Sequence, residues 1–219
     1  VDSSAFGVNA NASGTNAVAV GTNATSSGTN ALAFGANTLA DQANSFVVGS
    51  SAQACGLNAG AIGAAATAQG ANSLAIGVKS YAKLNSSMAL GTSASATGTN
   101  ATAIAINASA NGANSLAAGV SARATGNNST AFAAFASASG DNSVALGVQA
   151  NASNTSAMAF GTDSTASGKN ATAISANAAA SGANAMAFGV KSSATGANAV
   201  AIATESFANG DDAMAIGIQ

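Results

Sequence analysis

The amino-acid sequence predicts an all-β fold, a parallel β-solenoid of about sixteen coils of fourteen residues each. Three observations carry this. Glycine occupies 24 of the 31 positions divisible by seven, from Gly7, Gly14 and Gly21 to Gly210 and Gly217, and only Gly60 is out of phase. The segments between glycines are short and alternate, the period-two pattern of a strand bounded by turn residues. Asparagine opens twelve of the sixteen units, and Asn with Gly supplies the positive-φ conformations of tight corners.

The unit begins at Asp2, Asn16, Asn30 and so on to Asp212. Counting its opening residue as offset zero, a first strand ends at the glycine of offset five, as in Asn142-Ser143-Val144-Ala145-Leu146-Gly147. A second strand follows in Val148-Gln149-Ala150-Asn151-Ala152, and Ser153-Asn154-Thr155 closes the coil. Gln42, Leu84, Ala105, Ala133, Asn154, Ser175 and Ala203 replace the expected glycines without shifting the phase. A heptad coiled coil is excluded, because glycine in a helix interior costs about 1 kcal/mol relative to Ala. Collagen is excluded by the glycine period and the absence of proline. Parallel stacking at about 4.8 Å per coil would give a rod roughly 75 Å long.

The offsets have distinct chemistry. Offset three is Ala in every unit except at Val47, offset ten is Ala except at Ser26, and offset eight is always Ala, Ser or Thr. These positions resist bulk and are expected to face one another across a thin interior. Offset four is large and apolar: Phe6, Val20, Phe34, Val48, Ile62, Ile76, Leu90, Ile104, Phe132, Leu146, Phe160, Ile174, Phe188, Ile202 and Ile216, with a single break at Ala118. Adjacent strand residues point to opposite faces, so this ladder is expected on the outside of the coil. Offset two joins it through Val18, Leu32, Phe46, Leu74, Met88, Val144 and Met186. So long an apolar stripe predicts an obligate partner surface, and identical coils suggest identical partners in closed symmetry. The alternative, a ladder that forms the core of a wider single-chain coil, stays open at this point. No charge falls at offsets one to five, which marks the first strand as buried on both faces and the second as a solvent-facing wall of Asn, Ser and Thr.

Composition limits function. Of 219 residues 48% are apolar and 5% charged, with no His, Trp or Pro and one Cys. No imidazole exists for a nucleophilic pair or an acid/base site, so no catalytic residues and no enzyme activity are expected. The scattered Asp residues form no cage for a cation, and neither a metal nor a cofactor is expected. A net charge of -2 offers no basic field for nucleic acid or anionic lipid. Asn, Ser or Thr interrupts every apolar stretch before a membrane-spanning length, so no membrane contact is expected of these residues. Cys55 has no partner for an internal disulfide.

The repeated Asn142-Ser-Val-Ala-Leu-Gly147, Asn72-Ser-Leu-Ala-Ile-Gly77 and Asn16-Ala-Val-Ala-Val-Gly21 resemble the head repeats of trimeric autotransporter adhesins of the YadA-like type. The resemblance spans residues 1–219 as a single head domain. It implies a left-handed parallel β-roll, a homotrimer with the offset-four ladder at its interface, and display on the outer membrane of a Gram-negative bacterium. It further implies adhesion, to host matrix proteins such as collagen or fibronectin, to host cells, to other bacteria or to abiotic surfaces. A passive spacer presenting another binding domain is the alternative. The neck, stalk, signal peptide and β-barrel anchor of such proteins are expected outside this sequence.

Some offsets on the expected outer wall carry unexpected bulk: Tyr81, Phe207 and Leu39 at nine and Phe135 at seven. An aromatic on a wall of Asn, Ser and Thr can anchor a ligand, and Tyr81 lies between Lys79 and Lys83. Lys79, Tyr81, Lys83, Phe135 and Phe207 are therefore candidate ligand contacts, and drift or packing over a subunit seam is the bland alternative.

Overall fold

The corners show why the chain coils at fourteen residues. In Gly14-Thr15-Asn16-Ala17 the Ala17 N–H donates to the Gly14 carbonyl at 3.2 Å, and Asn16 takes a φ of 56°. The second corner repeats the arrangement, with Ala24 donating to the Gly21 carbonyl at 3.2 Å and Asn23 at 56°. A φ near +56° disfavours most side chains and is tolerated best by Gly and Asn, which accounts for Asn at offsets zero and seven. Gly21 stands at φ 134°, a region left to glycine, and a Cβ there would collide with the carbonyl of Gly35 in the next coil.

Between corners lie a three-residue strand, such as Val18–Val20, and a two-residue strand, such as Thr25–Ser26. The computed structural model describes residues 2–217, and the chain divides into two compact units, Val1–Ala108 and Ser109–Gln219. The first unit holds eight long and seven short strands, the second eight of each. Among the described residues there is no helix. Within each unit long strands pair with long and short with short, all in parallel. The register advances by one coil: Val18↔Leu32, Ala19↔Ala33 and Val20↔Phe34 in the first unit, Val144↔Met158, Ala145↔Ala159 and Leu146↔Phe160 in the second. The architecture is thus the expected parallel β-solenoid. Side chains extend the ladders at the corners. Asn16 Nδ2 donates to Asn30 Oδ1 at 3.2 Å, Asn30 to Asn44 at 3.2 Å, Asn44 to Asn58 at 3.0 Å and Asn58 to Asn72 at 2.9 Å.

The interior is nearly all methyl groups. Offsets three, eight and ten are buried, as in Ala19, Ala24 and Ala40, and the largest fully buried side chain among the described residues is Val47. Among the described residues no Leu, Ile, Phe or Met is part of the core. The ladder is therefore not the core of a wider coil, and that alternative is withdrawn. Two features refine the reading of the first strand. Offset one, Ala or Ser in every unit, is a fourth interior position, as Ala17, Ala31 and Ser45 show. Within the single chain the long strands are buried on one face, and the charge-free side bearing offsets two and four is open, the side the expected partner would cover.

Several buried serines fit by bonding back to the preceding turn: Ser87 Oγ donates to the Leu84 carbonyl at 2.6 Å, and Ser129 Oγ to that of Gly126 at 2.6 Å, whereas the hydroxyls of Ser73, Ser115 and Ser143 at the same offset have no partner. Ser26, at an offset otherwise held by Ala, is buried without a hydrogen-bond partner for its hydroxyl. An unsatisfied buried hydroxyl costs about 1–3 kcal/mol, whereas removing a satisfied one loses about 0.5–1.5 kcal/mol. Ser26→Ala is expected to raise the denaturant midpoint and Ser87→Ala to lower it, each at unchanged slope. A lowered midpoint for Ser26→Ala would contradict this view of the interior.

Candidate functional site

Each coil presents two outward faces, built by strands whose other side is alanine. The long strands display the large residues. Val20, Ile62, Ile76, Leu90, Phe160, Ile174 and Phe188 are half-buried by their neighbours in the ladder, while Phe6, Phe34, Val48, Ile104, Phe132, Leu146, Ile202 and Ile216 are exposed. None is buried, and each of the fifteen lies on the outer side of its own coil. Sequence reasoning missed a flanking column at offset six, where Val8, Val78, Ile106, Val120, Val148 and Val190 are exposed. Its signal was available as a β-branched apolar residue recurring just after the corner glycine.

Two irregularities in this face match each other in size. Gly60, the glycine out of phase, lies beside Phe46 in the paired register, and a Cβ on it would collide with the Phe46 ring. Ala118, the break in the ladder, pairs with Phe132, whose ring is 53% exposed. A large ring thus sits beside a small neighbour in both units.

The short strands display the polar wall. Offset nine carries Asn11, Thr25, Gln53, Thr67, Ser95 and Ser109, and offset eleven Ser13, Ser27, Gln69 and Ser139, all exposed or half-buried. Tyr81 is half-buried on this wall, between Thr67 and Ser95 in adjacent coils. Its hydroxyl donates to Gln69 Oε1 at 2.8 Å, which draws the ring diagonally toward the preceding coil. Lys79 and Lys83 are exposed on either side of it. Lys79 stands in the corner before the short strand and Lys83 just after it, so the three share one coil. Phe135, 58% exposed, and Phe207, 48% exposed, are five coils apart in the second unit and form no cluster with each other. Leu39 is half-buried.

Cys55 is half-buried beside Asp41, which holds the same offset one coil earlier. Burial pushes its thiol above the usual cysteine range, and the Asp41 carboxylate adds to the rise by disfavouring a thiolate nearby. This thiol is a poor nucleophile at neutral pH. Among the described residues no three His, Cys, Asp or Glu side chains gather where an ion could be held, and neither unit has a pocket. Lys191 and Glu205, exposed and one coil apart, form an ion pair at 3.5 Å.

The profile of the YadA head domain repeat (2 copies) matches residues 1–24, 26–52, 56–80, 85–104, 110–132, 138–164, 152–174 and 180–202. Among solved structures, the collagen-binding domain of the Yersinia adhesin YadA aligns with 100% of this chain and 82% of its own, at 18% identity and a TM-score of 0.22. No curated protein matches the chain.

The size match on the apolar face can be measured. Gly60→Val is expected to cost about 1–3 kcal/mol by crowding the Phe46 ring. Combined with Phe46→Ala it should cost less than the sum of the two single changes. Strict additivity in denaturant unfolding would show that the two positions do not touch.

Proposed function

The chain belongs to the YadA head domain repeat family, and from that membership we propose that it is the head of a bacterial surface adhesin. The observation that carries this reading is the two-faced coil: an apolar face with no cover in the chain itself, and a neutral wall of hydroxyls and amides without a pocket. Apolar patches beyond a few hundred Å² are rare on monomers and mark partner surfaces. The partner proposed is the chain itself. Three copies in closed symmetry would bring Ile76, Leu90, Ile104 and the rest of the ladder together about one axis, leaving the polar walls outside.

A head of this kind works by repetition. One shallow contact on a wall of Asn, Ser and Thr is weak, but contacts repeated coil by coil and copy by copy raise avidity by orders of magnitude when they engage together. The proposed role is attachment to host matrix or cells, to other bacteria or to abiotic surfaces, on the extracellular side of a Gram-negative outer membrane. Neither nucleic acid nor a cofactor enters this reading.

The test is attachment of the purified chain, coupled to beads, to surfaces coated with collagen, fibronectin or nothing. Retention on at least one is expected, and retention on none would favour a spacer that presents another domain. Ile76→Asp and Ile104→Asp place charges where the proposed assembly is driest, at a cost of several kcal/mol per chain. Both are expected to dissociate or unfold the assembly and to weaken attachment. Unchanged assembly and melting in both variants would overturn the assignment of the faces.

A further inference from the structure

The polar wall is almost without charge, and its one concentration of cations coincides with its one tyrosine. Lys79 and Lys83 are the only basic residues of the first unit, and they flank Tyr81 on a single coil. Both are exposed, and neither pairs with a carboxylate among the described residues. The nearest acid along their face, Asp41, shares the offset of Lys83 but lies three coils away, about 14 Å at the spacing of parallel strands. That exceeds the screening length of about 8 Å at physiological ionic strength. The two ammonium groups are therefore uncompensated positive charges on a nearly neutral surface, one on each side of the tyrosine along the chain.

The ring between them is held in place. The bond from the Tyr81 hydroxyl to Gln69 Oε1 at 2.8 Å restrains the side chain along the wall. Thr67 and Ser95 are its paired neighbours in the adjoining coils. A restrained aromatic face offers an apolar platform with a polar edge. Around it stand two cations, two hydroxyls and the Gln69 amide, with no pocket to enclose a side chain or a small molecule.

We propose that Lys79, Tyr81 and Lys83 form a binding site for an anionic polysaccharide, a chain of sugars bearing sulfate or carboxylate groups. A sugar ring would stack its C–H face on Tyr81, its hydroxyls would meet Thr67, Ser95 and Gln69, and its anionic groups would meet the two ammonium groups. A polysaccharide suits the site because it binds shallow surfaces through repeated units and needs no cavity. The inference rests on the adhesive reading of the chain and gives one of its contacts a ligand class.

The experiment measures binding of the purified full chain to immobilised heparin, which carries sulfate and carboxylate, to hyaluronan, which carries carboxylate alone, and to neutral dextran. Binding to heparin, weakened by added salt, is expected, with none to dextran. Binding to hyaluronan as well would show that carboxylate suffices, and binding to heparin alone that sulfate is required. The Lys79→Gln/Lys83→Gln variant should bind heparin about tenfold more weakly and lose the salt dependence, at unchanged melting because both side chains are exposed. Tyr81→Ala should weaken binding several-fold, and Tyr81→Phe, which keeps the ring and loses the tie to Gln69, should fall between it and the parent chain. Undiminished heparin binding by the double-lysine variant, or no binding of the parent chain to either anionic polymer, would overturn the proposal. Attachment to matrix or bare surfaces, measured on the same variants, separates this from the broader reading. A double variant that still attaches but no longer binds heparin supports both, whereas a parent chain that binds heparin but attaches to no surface supports the site and removes the adhesive role.

Discussion

The spacing between the two strand layers of each coil governs everything else in this protein. At offsets one, three, eight and ten the layers face each other through methyl and hydroxymethyl groups, and one valine, Val47, is the largest side chain fully enclosed. A leucine would have to push the layers apart against a backbone ladder bonded to the coils before and after it. Large residues must then stand outside, and the period-two alternation of the long strand sends them to a single face.

Alanine burial contributes little per residue, since each side chain removes one methyl from water. Backbone pairing supplies the regularity instead. Strands, corners and Asn side chains all bond from coil to coil, as in Gly21 N–H to the Phe6 carbonyl at 2.8 Å and Asn30 N–H to the Thr15 carbonyl at 2.8 Å. Each coil interacts only with its neighbours, so stability within each unit accumulates coil by coil as in other repeat proteins. Local departures are absorbed one at a time. Ala105, Ala133, Ser175 and Ala203 take φ values between 98° and 110°, where glycine is the natural occupant, and the chain keeps its phase beyond each of them.

The period, the strand pairing and the outward ladder were legible in the sequence because every residue type recurs at a fixed offset. A deviation such as Val47 or Ala118 stands out against fifteen matching units. Offset one was less legible, since its mixture of Ser and Ala did not single it out as interior, and the structure shows Ser45 and Ser129 bonded to the turn behind them. The absence of charge from the first strand suggested burial on both faces. Within one chain it reflects one face buried and another that is apolar and left for the proposed partner to cover. Contacts between offsets, such as Tyr81 with Gln69 or Phe46 over Gly60, depend on how side chains lean from one coil to the next. Periodicity alone does not encode that.

The same constraint that makes the interior thin leaves the apolar face in need of a cover, and the proposed assembly is the consequence. Its most direct test is the absolute mass of the purified chain in solution, by light scattering coupled to size exclusion. The account predicts about three times the 20.2 kDa mass of one chain. A stable, soluble species of one chain mass would contradict it, because the ladder would then be tolerated in water without a partner.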